Sequence, residues 1–426
     1  MTFPATDGIT DRLQALFAYD ASSPLIFSSG LFLFLFAGFL LVYSVFRRAP
    51  MARIVYVIAF SLYFYYKSSG IYFLLLVFAA ASDFLIARGI YRARFRWTKR
   101  WLVVLSVAVN LGMLGYFKYT NFLIDISNQL FGQGFLQFQN IFLPVGISFF
   151  VFQSMSYTID IYRGQLKPLS NWLDYLFYLS FFPQLVAGPI VRARDFIPQI
   201  RQNPVVVTRE MFGTGVFLIL TGLFKKAIIS DYISLNFVDR IFDEPLLYSG
   251  FECLMGIYGY ALQIYCDFSG YSDMAIGIAL LLGFRFPKNF DAPYKSATIT
   301  EFWRRWHISL STWLRDYLYI SLGGNRKWRI RTYFNLLVTM LLGGLWHGAA
   351  VRFILWGALH GIALALHKLW LSVVPGSKAT GAEMRWFWRI PGIFFTFNLV
   401  CFGWLMFRAE SMKTVQLMLH QIFTNF

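Results

Sequence analysis

This sequence predicts an all-α protein that crosses a lipid bilayer many times, and three observations point to it. The first is composition: 58% of the 426 residues are hydrophobic and 14% charged, against about 25% charged in a soluble domain. Such a chain has too little polar surface to coat itself in water. The second is run length: several apolar runs reach the roughly 20 residues a helix needs to span a hydrocarbon core. The third is where the net charge of +17 sits, which is largely in short loops between those runs. That is the pattern of a membrane protein with its basic loops in the cytoplasm. A nucleic-acid binder would gather its basic residues on a polar domain, so that class is excluded. The charge suits anionic lipid heads or an anionic substrate instead. Cys253, Cys266 and Cys401 are scattered through apolar sequence without CxxC or other metal spacing, which argues against a disulfide framework and against a bound metal.

The chain reads as one domain, 1–426, of about ten or eleven membrane elements, some of half length. Residues 1–23 lack the basic-then-apolar order of a cleavable signal and form a short amphipathic lead-in. Residues 24–138 supply peripheral spans. Pro24 to Phe46 is the first, followed by Arg47, Arg48 and Arg53. Ile54 to Tyr66 and Ile71 to Tyr91 come next, then the basic loop Arg92 to Arg100, then Trp101 to Phe117. Placing both basic loops in the cytoplasm puts the N-terminus outside. Phe122 to Phe138 is interrupted by Asn128, Gln129 and two glycines, and reads as a separate interfacial segment on the outer side.

Residues 139–410 form the core. Ile141 to Tyr162 crosses back, and its Gln153, Ser154, Ser156, Thr158 and Asp160 are too polar to face lipid. Tyr175 to Ile190 contains FFPQLVAGPI, where Pro183, Gly188 and Pro189 break a helix. Non-helical backbone survives at membrane depth only where protein or water covers it, so this is a re-entrant or broken element lining a cavity. Met211 to Ile229 is a further span. Leu246 to Phe284 is long enough for two, and its middle, YCDFSGYSDMAIG, reads either as a cavity wall or as a small-residue packing site. Arg285 to Tyr294, RFPKNFDAPY, is a polar, turn-rich connector. Ile299 to Ile320 holds too many charges for a span. Trp303, Trp306, His307, Leu310, Trp313, Leu314 and Tyr317 recur at helical spacing, which predicts one helix with an aromatic face that carries the imidazole. It would lie in the interface or dip in from the cytoplasmic side. Phe334 to Ala350, Phe353 to Leu371 and Ile390 to Phe407 are spans, Glu383 to Arg389 is a mixed Trp and charge cluster, and 411–426 is an amphipathic tail.

All five histidines follow residue 300. His347 ends the apolar run Phe334 to Trp346, and an ionisable group at membrane depth marks function, although it can also simply bond a carbonyl. Imidazole is the natural general base near neutral pH. The glycines of GGLWHGA let another backbone or an acyl substrate approach, and Trp346 can wall the pocket. His360 and His367 read as packing or interface residues. HExxH, P-loop and GxGxxG motifs are absent. The tight turn GGNR brings Arg326 together with Lys327, Arg329 and Arg331, a set of cations able to hold a polyphosphate and equally able to serve topology alone. Arg304 and Arg305 add to this candidate donor-phosphate site. A membrane histidine beside a basic cytoplasmic mouth suits acyl transfer from a phosphate-bearing thioester. That reaction needs a base and exclusion of water, and no bound cofactor. His347 is the candidate base. His307 would orient it, stabilise charge or contact the donor.

The blocks EFWRRWHISLSTWLRDYLYISLGGNR, GGLWHGA, YCDFSGYSDMAIG, LPVGISFFVFQSMSYTIDIYRG and FFPQLVAGPI resemble the membrane-bound O-acyltransferase (MBOAT) family, and within it the bacterial alginate O-acetyltransferase type. The branch also covers enzymes that acetylate cellulose or peptidoglycan. The resemblance implies a ring of helices around a thinned centre crossed by a tunnel, in the bacterial cytoplasmic (inner) membrane. The family's invariant histidine maps onto His347, and its second polar position onto His307. Trp303, Trp306, Trp346, Gln153, Asp267 and Ser269 are then the candidate tunnel lining. The resemblance also implies a cytoplasmic acyl thioester donor, acetyl-CoA or an acyl-carrier thioester. The acceptor would be an extracytoplasmic SGNH-hydrolase-like partner that acylates a polysaccharide. The related branch that moves D-alanine onto teichoic acids is the alternative. A transporter or flippase gated by His347 is a further one, but it favours inverted repeats, and the sequence shows no internal symmetry.

Overall fold

The computed structural model describes residues 16–326, 328–374 and 386–426. Residues 1–15 of the lead-in, Lys327 and the stretch from Glu383 to Arg385 lie outside the described residues. Within them the chain is helical, with no strand, as expected where lipid offers the backbone no hydrogen bonds. Among the described residues six helical stretches are long and apolar enough to cross a membrane: Gly30–Arg48, Pro50–Arg92, Arg96–Phe131, Arg209–Asp243, Val351–Val373 and Trp386–Arg408. The protein is therefore a multi-pass membrane protein. Its residues group into two compact units. Among the described residues, one joins the chain up to Phe117 with Asn140–Gly213 and Ile278–Arg285. The other joins Lys118–Gln139, Thr214–Gly277 and Phe286–Phe426.

The first unit holds α1 (Gly30–Val45), α2 (Pro50–Ser69), α3 (Phe73–Arg92), the first part of α4 (Arg96–Phe131), α5 (Ile147–Tyr162), α6 (Trp172–Ser180) and α7 (Ala193–Ile200). Local chemistry sets their starts: Ser29 caps α1 by accepting from Phe32 N–H, Pro50 opens α2 and Asn171 caps α6 through Leu173 N–H. The element containing FFPQLVAGPI is broken, as expected. α6 stops at Ser180, and a single turn, Phe182–Leu185, follows. Phe182 fills the aromatic core, 5.0 Å from Phe60, 5.7 Å from Phe39 and 5.8 Å from Phe64 between ring centres. Arg53, expected in a basic loop, is buried and donates to the carbonyls of Ile200 and Gln202 at 3.0 and 2.7 Å, closing the end of α7.

The polar residues of α5 face protein. Asp83 of α3 is fully buried; its carboxylate accepts from Ser106 at 2.6 Å and Asn110 at 2.7 Å, both on α4, and from Ser154 of α5. Thr158 of α5 bonds Ser106 at 2.8 Å. Asp83→Leu would strand these donors, each at a cost of about 1–3 kcal/mol. A clearly lower thermal midpoint is expected in detergent for Asp83→Leu, and a smaller drop for Asp83→Asn, which keeps an acceptor. Equal midpoints for wild type and the Leu variant would contradict this.

Three elements differ from the sequence reading. The span Trp101 to Phe117 and the interfacial segment Phe122 to Phe138 are not separate: α4 is one helix of 36 residues, about 54 Å long. Its polar residues do not end it. Asn121 exchanges two hydrogen bonds with Gln139, and Asn128 two with Leu136, so they tie down the chain returning from the helix end. Leu246 to Phe284 is not two spans but one helix, α9 (Gly250–Leu281), after α8 (Arg209–Asp243). Bare glycine faces bring α8 and α9 together: a Cβ on Gly222 would lie 2.5 Å from Gly270 O. The third difference is at His307.

The rest of the second unit comprises α10 (Ile299–Arg305), α11 (Ile308–Trp313, running on in wider turns to Tyr319), α12 (Arg329–His347), α13 (Val351–Val373), α14 (Trp386–Arg408) and α15 (Met412–Thr424). The tail is amphipathic as expected, with Val415, Met418 and Gln421 of α15 buried. An aromatic core of Phe302, Trp306, Trp356 and Trp404 lies between these helices.

Candidate active site

α12 ends on His347, and extended backbone at Gly348 follows. The last carbonyls of a helix have no partner within it. Here Tyr119 Oη donates to Leu345 O at 2.7 Å and Lys118 Nζ donates to Trp346 O, both from α4. The His347 ring is half-buried and edged by Trp346, Phe407 and Trp356, with ring centres 4.8, 5.1 and 5.2 Å away. Arg352 fixes one wall by donating to Phe407 O at 2.7 Å. Among the described residues nothing hydrogen-bonds the His347 ring, so its nitrogens stay open to a ligand. The flanking glycines serve the neighbouring helix: a Cβ on Gly344 would meet Phe353 O at 2.1 Å, and one on Gly348 the Phe353 ring at 2.0 Å.

His307 does not sit on the face of a continuous helix. The periodicity from Trp303 to Tyr317 runs through a break. α10 stops at Arg305, His307 takes the left-handed conformation (φ 43°, ψ 56°), and α11 begins at Ile308. For a residue with a Cβ this costs about 1–2 kcal/mol, and it persists where surroundings impose it. The connector imposes it. Asp291 N–H donates to Arg305 O at 2.9 Å and Ile308 N–H to Asn289 O at 2.8 Å. The His307 ring is fully buried, 4.7 Å from Phe268 and 6.3 Å from Trp346. The Trp346 indole thus lies against both imidazoles.

Of the expected lining, Trp303, Trp306 and Trp346 gather here. Trp303 packs edge-on to Trp356 at 5.7 Å, and Trp306 lies 4.9 Å from Trp404. His360, read as a packing residue, is buried against Trp356 at 4.7 Å and Trp303 at 5.2 Å. His367 lies 2.8 Å from Thr300 Oγ1 through Nδ1. On α9, Phe268 reaches His307, Asp267 pairs with Lys226 at 2.6 Å, and Ser269 is buried. Gln153 belongs to the first unit, on α5, and is buried with neither amide atom bonded among the described residues. Arg304, Arg326 and Arg329 are exposed. Arg305 pairs with Glu301 at 2.9 Å and approaches Asp291 at 3.7 Å. The Lys288 ammonium bonded to Asp291 holds that carboxyl below its usual range. Lys327 is outside the described residues. Sequence reading missed Asn289, Trp356, Phe407, Lys118 and Tyr119, none of which stands in a short-range pattern with a histidine.

The family model described as MBOAT, membrane-bound O-acyltransferase family, matches residues 160–409. The chain is 42% identical over 408 residues to a probable alginate O-acetylase of Pseudomonas aeruginosa, covering 94% of this chain and 75% of that protein. It is 36% identical over 422 residues to a peptidoglycan O-acetyltransferase of Helicobacter pylori, covering 92% and 78%. To a teichoic acid D-alanyltransferase of Bacillus subtilis it is 30% identical over 286 residues, covering 64% and 70%.

Proposed function

The chain belongs to the membrane-bound O-acyltransferase family, and from that premise we propose that it moves an acetyl group from acetyl-CoA in the cytoplasm to an extracytoplasmic acceptor, for O-acetylation of a cell-surface polysaccharide. The higher identity to the two relatives named for O-acetylation than to the one named for D-alanyl transfer supports the acetyl group. The bacterial cytoplasmic membrane is the proposed setting, with the N-terminus outside so that the basic loops face the cytoplasm. An SGNH-hydrolase-like protein is the proposed acceptor partner.

One observation carries the mechanism: an imidazole at a helix end, half-buried among aromatic rings, with its nitrogens unclaimed by the described residues. In the proposed step His347 takes the proton of the acceptor hydroxyl as that oxygen attacks the thioester carbonyl carbon. The C–S bond breaks as the tetrahedral intermediate collapses. The departing thiolate takes the proton back from the imidazolium, leaving an ester and a free thiol. Aromatic walls limit competing attack by water. Arg304, Arg326, Lys327 and Arg329 are the proposed contacts of the donor phosphates, and Arg305 reaches them only by leaving Glu301.

Purified protein in lipid vesicles, given acetyl-labelled CoA thioester on one side and the acceptor on the other, tests this. Free CoA and label on the acceptor are expected in equal amounts. Movement of acceptor or donor without thioester cleavage would refute the proposal, as would turnover only with a D-alanyl carrier.

A further inference from the structure

Asn289 lies 18 residues before His307 and grips the break from both its backbone and its side chain. Besides the main-chain bond to Ile308, its Oδ1 accepts from Ser309 N–H at 3.2 Å and from Ser309 Oγ at 2.9 Å. Its amide nitrogen donates to Ser272 Oγ at 3.0 Å. A backbone N–H can only donate, so the atom facing Ser309 N is the amide oxygen, and the side chain's orientation is fixed. That same oxygen lies 3.2 Å from His307 Nδ1. An amide oxygen has no hydrogen to give, and Ser309 Oγ, 3.5 Å from the same nitrogen, gives its single hydrogen to Asn289 Oδ1 at the shorter 2.9 Å, so the geometry places a hydrogen on Nδ1. A neutral imidazole has a single N–H, so Nε2 carries no hydrogen.

We infer that Asn289 is a positioning residue that locks His307 in the Nδ1-protonated tautomer, so that His307 offers the reaction an accepting nitrogen rather than an N–H donor. This rests on the acyl-transfer reading above and narrows it. His307 is not an oxyanion-stabilising donor. Its Nε2 accepts a hydrogen bond from a substrate O–H or N–H, and no proton need leave the ring. The left-handed backbone at position 307 fits the same purpose, since Asn289 holds the main chain and the ring together.

The tautomer can be read directly. In protein labelled with ¹⁵N-histidine, protonated and bare ring nitrogens resonate apart, and loss of a pair of signals in His307→Asn assigns them. Wild type should show a protonated Nδ1 and a bare Nε2 at His307. The reverse assignment overturns the inference even if no Asn289 variant folds. In kinetics, Asn289→Leu should lower kcat about 10²-fold, within the usual range for a proton-handling group, with the KM for the thioester changed less than about twofold. Asn289→Asp keeps an accepting oxygen and should hold kcat within about tenfold of wild type. Equal losses in both variants, or none in the Leu variant, overturn the inference. Failure of the acyl-transfer reading would instead appear as absent turnover in wild type, with the tautomer still legible.

Discussion

His347→Ala is expected to abolish acyl transfer while the protein still inserts and folds. A positioned base contributes about 10²–10⁴-fold, or roughly 3–5 kcal/mol of barrier. Because no described residue hydrogen-bonds the ring, truncation strands no protein donor or acceptor. What is lost in folding is contact with Trp346, Trp356 and Phe407, a small fraction of the aromatic core. Membrane-extracted yield and elution profile should therefore match wild type, while thioester turnover falls to background. Turnover at the wild-type rate would remove His347 from the chemistry and with it the proposed mechanism.

A second large effect is expected at Gly357, on stability and activity together. α12 and α13 cross with backbones nearly touching. A Cβ at Gly344 would stand 2.1 Å from Phe353 O, and a Cβ at Gly357 would stand 2.3 Å from Met340 O. Both obstacles are main chain, which cannot swing aside, so even Gly357→Ala must push the helices apart. Overpacking a tight contact commonly costs about 1–3 kcal/mol. The displaced residue lies next to Trp356, which walls His347. Gly357→Ala should therefore lower the thermal midpoint and kcat alike. Gly213→Ala, where nothing lies within 4 Å, should be neutral or slightly stabilising, since alanine favours helix by about 1 kcal/mol. Equal thermal midpoints for the two variants would show that the helix pair tolerates separation.

The centre of the candidate site was legible because its signals are local. GGLWHGA places an imidazole at the end of an apolar run, and glycine spacing announces a close approach. FFPQLVAGPI announces a broken element through its prolines. The break at His307 was not legible, because two short helices in succession keep the aromatic spacing of one. The group that holds them apart, Asn289, is a connector residue whose role depends on pairing across 18 positions. α9 misled for a related reason: apolar length measures how much chain lipid tolerates, and says nothing of how many times it crosses. α4 misled because Asn128 and Gln129 look like an interruption until the returning segment that Asn128 binds is seen.

The clamp on the last turn of α12 bears on hydrolysis of the thioester. A helix end usually needs solvent to finish its hydrogen bonds, and solvent is the rival nucleophile in the proposed acyl transfer. Because Tyr119 and Lys118 take two of the last four carbonyls, those of Leu345 and Trp346, that part of the helix end beside the imidazole needs no water, the molecule that would squander the activated acyl group.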